Sequence, residues 1–214
     1  MRLSRRNALI IHTLSLLWLM TGCDIQNMNE VTVQTLSSGW EFTQADTNRW
    51  LPARIPGCVH TDLLREGEID DPFYRLNEHD IQWIDKKDWI YQTTFRPEKH
   101  ILARNNVELF FPGLDTYADV YLNDSLVLQA NNMFREWSIP CGQLLRRGDN
   151  ILRIHFRSPV HEGLRKYKRT PYTIPVSDND LAKIGQVEGG KKVSVFTRKA
   201  AYHFGWDWGP RLVT

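Results

Sequence analysis

The sequence predicts an all-β fold, an antiparallel β-sandwich with a few short helices at its periphery. Three features carry that prediction. Apolar residues recur two apart in several short segments, turn-forming residues separate those segments, and helical spacing is confined to brief stretches.

Taken in chain order, Gly39-Trp40-Glu41-Phe42 opens the domain with Trp40 and Phe42 on one face of a strand. Residues 59–66 read as a helix, because Val59 and Leu63 lie one turn apart and Gly67 can close it in a left-handed conformation. Asp71-Pro72 favours a turn. The two-residue period returns at Trp89, Tyr91, Thr93 and Phe95, then at Val107, Leu109 and Phe111, then at Ala118, Val120 and Leu122. Asn123-Asp124 supplies a hairpin turn into Leu126 and Leu128. Past Gly148-Asp149-Asn150, Leu152, Ile154 and Phe156 alternate with Ile151, Arg153 and His155, a further half-buried strand. Ser158-Pro159 then starts a second helix, with an N-cap followed by proline at the first helical position and with Val160 and Leu164 on one face. Its last turn gathers Arg165, Lys166, Lys168 and Arg169, read as a solvated helix C-terminus where the dipole favours cations. Residues 170–192 hold Pro171, Pro175, Gly185, Gly189 and Gly190 without sustained period and read as a long loop, a feature that in a folded domain commonly borders a functional surface.

Composition narrows the function. Twenty-seven basic against twenty-five acidic residues leave a formal charge of +2, too little for the electrostatic footprint of a nucleic-acid binder. A 42% hydrophobic and 24% charged chain is ordinary for a globular protein, so disorder of the whole is not expected. Eight Trp, seven Tyr and nine Phe suit either a sandwich core or a surface on which the apolar face of a sugar ring lies against an indole. The seven His residues are scattered without a second ligand at fixed offset, so no metal site is expected, and no cofactor is implied.

The N-terminus carries an address. Arg2, Arg5 and Arg6 precede an apolar run at 8–20 that is too short to span a bilayer, the pattern of a secretory signal at 1–22. Leu19-Met20-Thr21-Gly22-Cys23 resembles a bacterial lipobox, which makes Cys23 the lipidation site and 23–30 a polar tether to a domain at 31–214. The predicted location is periplasmic or outer-membrane-anchored, with membrane contact through lipid alone. Ser4-Arg5-Arg6-Asn7-Ala8-Leu9 also partly resembles a twin-arginine signal, though without its usual Phe. With Cys23 occupied, Cys58 and Cys141 remain, and spacing does not decide whether they pair.

The most unusual segment is His203-Phe204-Gly205-Trp206-Asp207-Trp208-Gly209-Pro210-Arg211. Two readings compete. As a strand it would put Trp206 and Trp208 in the core and leave Asp207 in solvent as a turn cap. As a bent loop, permitted by Gly205 and Gly209, it would set an aromatic platform and a hydrogen-bond-accepting carboxylate beside a cleft, the pair that a sugar site needs.

A family resemblance bears on that choice. Arg198-Lys199-Ala200-Ala201-Tyr202-His203 into Trp206-Asp207-Trp208-Gly209-Pro210-Arg211 resembles the signature that ends the first domain of β-mannosidases of glycoside hydrolase family 2. Earlier blocks resemble the same family in the same order: Pro56-Gly57-Cys58-Val59-His60-Thr61-Asp62-Leu63-Leu64, Asp71-Pro72-Phe73-Tyr74-Arg75, Gln82-Trp83-Ile84, Gly113-Leu114-Asp115-Thr116-Tyr117-Ala118-Asp119-Val120-Tyr121-Leu122-Asn123 and Asn131-Asn132-Met133-Phe134-Arg135. The resemblance implies a galactose-binding-domain-like jelly roll, followed in the complete enzyme by immunoglobulin-like and barrel domains. It further implies that Trp206, Asp207 and Trp208 contact a terminal β-mannose of an oligosaccharide. The two catalytic glutamates of a retaining mechanism would come from the barrel, with carboxyl groups roughly 5 to 5.5 Å apart. No catalytic residue is expected in this segment, because Glu66, Glu68, Glu108, Glu136, Glu162 and Glu188 lack the family's catalytic context.

Two alternatives stand beside that reading: an endo-β-mannosidase or exo-glucosaminidase relative, and a free-standing carbohydrate-binding module. Arg211-Leu212-Val213-Thr214 is apolar and strand-like, which suggests that the chain stops inside a structural element.

Overall fold

A computed structural model describes residues 31–214. The predicted signal at 1–22, the Cys23 lipidation site and the rest of the tether lie outside the described residues. Contacts divide the chain after Val33, and the fold lies in Gln34–Thr214.

The principal sheet has six strands: β1 Trp40–Gln44, β2 Leu51–Pro52, β3 Trp89–Phe95, β5 Tyr117–Leu122, β6 Ser125–Asn131 and β8 Asn150–Arg157. They run in the order β2-β1-β3-β8-β5-β6 with every pairing antiparallel. β4 Glu108–Phe111 and β7 Trp137–Pro140 form a second, two-stranded antiparallel sheet. The mostly-β, antiparallel expectation therefore holds.

Register explains why period two was informative. Phe42 pairs with Tyr91, Tyr91 with Ile154, Ile154 with Val120 and Val120 with Leu128, so one apolar row crosses five strands. The neighbouring row, Glu41, Gln92, Arg153 and Tyr121, points to the other face and is largely polar. Within it the Gln92 amide donates to Glu41 at 2.6 Å, and the Arg153 guanidinium lies over the Tyr121 ring. The apolar row joins Trp40, Leu63, Ile81, Ile84 and Trp89 in the main core, and Leu109, Phe111 and Trp137 of the small sheet pack against it. Burying a side chain the size of Phe42 or Val120 contributes roughly 1.5 to 3 kcal/mol, so this row helps hold the sheet to the core.

The helices follow their local chemistry. Helix α1, Val59–Arg65, ends where Gly67 adopts φ +72. There the Glu68 N–H reaches the Leu63 carbonyl and the Gly67 N–H that of Leu64, which satisfies two of the helix's last carbonyls. A single turn, α2 at Lys99–Leu102, was not foreseen. Helix α3, Pro159–Arg169, is capped as predicted: the Ser158 hydroxyl accepts from the His161 N–H at 3.0 Å. The hairpin turn also falls at Asn123 and Asp124, both with positive φ as a two-residue turn between twisted strands requires.

The loop at 170–192 is a loop as expected and is packed: its Ala182 and Val187 join Val193, Phe204 and Val213 in a second apolar cluster with Val160 and Leu164 of α3. Two expectations need correction. Arg211-Leu212-Val213-Thr214 is irregular rather than a strand. The basic run at the end of α3 is not simply solvated, because the Lys166 ammonium donates to the Tyr117 hydroxyl at 2.7 Å and the Phe196 carbonyl at 2.9 Å. Cys58 and Cys141 are both free thiols.

Candidate functional site: the loop at 205–210

A 3₁₀ turn, Ala201–Phe204, delivers the chain into the loop. Phe204 is fully buried, its carbonyl accepts from the Leu181 N–H at 2.9 Å, and Gly205 follows at φ 152 and ψ 149. That conformation belongs almost exclusively to glycine. Space enforces it too, since a Cβ there would lie 2.0 Å from the Asn179 carbonyl oxygen.

Beyond this buried foot the chain emerges. Trp206 is 50% exposed, Trp208 is 86% exposed, and Asp207 is exposed between them. The core-pair reading is therefore wrong. A strand would have pointed the two indoles one way, whereas the bend at Gly205 carries all three side chains out of the fold. Gly209 has no positive φ, so the predicted flexibility is used only on the N-terminal side. Trp206 meets the edge of Tyr202 at 5.8 Å, and Tyr202 stacks on the His203 ring at 4.8 Å, which fixes one indole while Trp208 stays open. Among the described residues the Asp207 carboxylate has neither a hydrogen bond nor an ion pair. It lines no part of the cavity of about 180 Å³ formed by Glu68, Ile69, Asp70, Asn77, Asp80, Ile81 and Trp83.

The second foot is Arg211, the largest fully buried side chain among the described residues, at 1% exposure. Its guanidinium pairs with Asp85 and donates to the Gln82 amide oxygen at 2.7 Å. The main chain is held as well: the Arg211 N–H donates to Glu78 at 3.1 Å and its carbonyl accepts from the Gln82 amide at 2.9 Å. One residue on, the Leu212 carbonyl lies 3.0 Å from Nδ1 of His203, which ties the two feet together.

A charged cluster is buried near the feet. The Lys199 side chain is wholly buried and paired with Asp115; burial pushes its pKa down, opposed by that carboxylate. His60 is buried with Nδ1 unpartnered among the described residues, and desolvation, aided by the charges of Lys199, His203 and Arg211, holds its pKa down to about 3. Burial, then Lys199, lowers His203 as well, against the pull of the Leu212 carbonyl and Asp115. Both imidazoles are neutral at physiological pH, leaving Lys199 and Arg211 as the cations, each with its own aspartate. Arg198-Lys199 and Pro210-Arg211 lay inside the quoted motifs, but nothing in the sequence marked Lys199 or Arg211 as buried. A charged residue in a loop segment reads as solvated until its partner, 84 or 126 positions away, is seen.

Comparison with known proteins gives this arrangement its context. Residues 40–214 match the family described as glycosyl hydrolase 2 galactose-binding domain-like. The chain is 36% identical over 187 residues to β-mannosidase B of Aspergillus terreus, covering 85% of this chain and 21% of that protein. It is 34% identical over 202 residues to a β-mannosidase of Capra hircus, covering 94% and 22%. A solved β-D-mannosidase of Dictyoglomus thermophilum superposes with a TM-score of 0.75 at 38% identity, covering 83% of this chain and 20% of that one. An exo-chitosanase of Amycolatopsis orientalis, at TM-score 0.53 and 18% identity over 59% of this chain and 17% of its own, shares the fold alone. The chain spans about a fifth of the length of the curated relatives it matches. With that match running unbroken from the first strand to the last described residue, the chain belongs to the glycosyl hydrolase 2 galactose-binding domain-like family.

Proposed function

We propose that this chain is the N-terminal, pocket-shaping domain of an exo-acting retaining β-mannosidase, and that Asp207 binds hydroxyls of the terminal β-D-mannose while Trp206 and Trp208 wall the pocket. One observation carries the reading: an exposed aromatic-carboxylate-aromatic triplet stands on a loop whose two feet are buried, and its carboxylate is unpaired among the described residues. A surface aspartate could serve as a turn cap, but Asp207 accepts no capping hydrogen bond among the described residues. Two exposed indoles would be costly in a finished surface, yet they suit a wall that the rest of a larger protein and a sugar ring cover. The relatives named β-mannosidase support the substrate class.

On this reading the fold is a jelly-roll sandwich in which the small β4–β7 sheet is part of the second layer. The catalytic acid/base and nucleophile are glutamates of a downstream barrel, and this domain contributes positioning rather than proton transfer. Export through the signal at 1–22 and lipidation at Cys23 would anchor the enzyme at a bacterial envelope membrane, where it trims β-mannosides.

The test is substrate choice by the complete protein. Cleavage of an aryl β-mannoside should exceed that of the matched β-glucoside and β-glucosaminide, with β-mannose as the first product released. Preference for the glucosaminide, or release of internal fragments from an oligosaccharide, would refute the assignment.

A further inference from the structure

Resting on the reading of Asp207 as a sugar ligand, we propose that Arg211 is a positioning residue: its seat on Asp85, Gln82 and Glu78 fixes where Asp207 stands, and so sets the affinity of the pocket for the mannose transition state.

Arg211 is tied at three levels. Its guanidinium meets Asp85 and Gln82, its N–H meets Glu78, and its carbonyl receives the Gln82 amide. Gln82 thus grips both the side chain and the main chain, which fixes the residue's rotation as well as its place. Lys86 braces the seat by donating to the Gly185 carbonyl at 2.6 Å and pairing with Asp85 at 3.2 Å. Gly185 then lies flat on the guanidinium, where a Cβ would sit 2.3 Å from Cζ.

Stability alone does not account for this arrangement. Nε and Nη2 of Arg211 are buried without partners among the described residues, so the guanidinium is desolvated with only one of its three nitrogens satisfied. Apolar residues of similar volume commonly stabilise such a site as well as a buried ion pair does, or better. What an apolar side chain cannot supply is direction. Only Trp208, Gly209 and Pro210 separate Arg211 from Asp207, and proline fixes its own φ, so a displacement at Arg211 is passed through a short segment toward the carboxylate. At the other foot, Gly205 and the His203–Leu212 contact already prevent the loop from hinging freely. A displacement on the order of 1 Å from a site outside the chemistry can cost about 100-fold in rate.

The experiment uses the complete protein with an aryl β-mannoside and compares Arg211→Lys, Asp207→Asn and the double variant. Lysine keeps the charge but loses the fork that reaches Asp85 and Gln82 together. We expect Arg211→Lys to lower kcat/KM roughly 10-fold or more with the same split between kcat and KM as Asp207→Asn. The double variant should be no worse than Asp207→Asn within about 3-fold, because misplacing a carboxylate already neutralised loses little more. Glu162→Gln, which breaks ion pairs to Arg157 and Arg165 elsewhere on the domain, calibrates a stability loss without a kinetic one. If Arg211→Lys does not fold, Gln82→Met removes the same grip without burying an unpaired charge and should lose roughly 3- to 10-fold. Wild-type kinetics in the folded Arg211→Lys or Gln82→Met protein, or losses in the double variant that multiply, would overturn the inference while leaving Asp207 in place. Wild-type kinetics in Asp207→Asn would remove the reading beneath it as well.

Discussion

Asp207 and His60 mark opposite ends of what a single side chain can do here. Asp207 is exposed and unpaired among the described residues, so replacing it by Asn disturbs no packing and leaves the melting temperature within a degree or so of wild type. In the complete protein the same change should cut kcat/KM about 10- to 150-fold, the equivalent of roughly 1.5 to 3 kcal/mol for a charge-assisted hydrogen bond to a sugar hydroxyl. Steady-state kinetics beside a thermal melt check this, and a lowered melting temperature with intact kinetics would make Asp207 a structural residue. His60 has the reverse profile. Its folded-state pKa is held near 3, whereas an unfolded histidine binds a proton near 6.5, so between those values the unfolded chain carries more protons. The stability that depends on neutral His60 is therefore fully present above about pH 6.5 and drains away as pH falls toward 3, by an amount on the order of a few kcal/mol. His203 adds to the loss in the same direction. Melting temperatures measured from pH 7 to pH 4 should fall less steeply in His60→Leu than in wild type, and equal slopes would show that another group controls the acid limb. The exposure of Asp207 was only half legible in the sequence: Gly205 and Gly209 allowed a bent loop, but the residues alone left a strand open and the family resemblance favoured the loop. His60 was not legible, since no local pattern reveals that Lys199, His203 and Arg211 will surround an imidazole on α1.

At the scale of elements, legibility followed periodicity. β3, β5, β6 and β8 were found because they hold six or more residues, and their apolar set faces one core. β2 has two residues, and β7, Trp137–Pro140, has one alternation and ends in proline, so neither offers a period to count. The second core escaped for the same reason: Ala182, Val187, Val193 and Phe204 are unevenly spaced along a loop, and only their meeting under α3 makes them a cluster. Both caps, in contrast, were visible, because a cap needs only a few neighbouring residues. Comparing two glycines tests how much each loop geometry contributes. Gly67 sits at φ +72 with open space around its missing Cβ, so Gly67→Ala should cost about 1 to 2 kcal/mol from backbone conformation alone. Gly205 combines its disfavoured conformation with a collision at the Asn179 carbonyl and the Leu181 side chain, so Gly205→Ala should cost several kcal/mol. Urea midpoints at constant slope read both directly. A Gly205→Ala protein as stable as Gly67→Ala would mean that the N-terminal foot of the loop yields easily, and that the exposed triplet is not held from that side.

For the whole molecule, the question is whether this domain can perform any chemistry alone. Retaining hydrolysis needs two carboxyl groups roughly 5 to 5.5 Å apart across one glycosidic bond, one of them able to hold a proton near neutral pH. Five of the six glutamates singled out in the sequence are engaged elsewhere, and the sixth, Glu136, is exposed with no hydrogen bond or ion pair among the described residues. Glu162 pairs with Arg157 and Arg165, Glu188 with Lys168, and Glu66 with Arg65; Glu108 receives the Ser138 hydroxyl. Glu68 is bound by Arg49, whose hydrogen bonds lower its pKa, the wrong direction for a general acid. Asp207 makes no hydrogen bond or ion pair among the described residues, and on the proposed reading it orients a sugar rather than sharing acid and nucleophile roles. The purified chain should therefore release no nitrophenol from an aryl β-mannoside above the uncatalysed rate, even at high protein concentration, because protonation of the leaving group and covalent catalysis are both missing. Its fluorescence should nevertheless respond to an added quencher, since Trp206 and Trp208 are open to solvent. Covering them in the complete protein should reduce that quenching. Turnover that tracks the folded domain through purification, and disappears in Asp207→Asn, would mean that a second carboxylate acts here after all and that the domain is an enzyme in its own right.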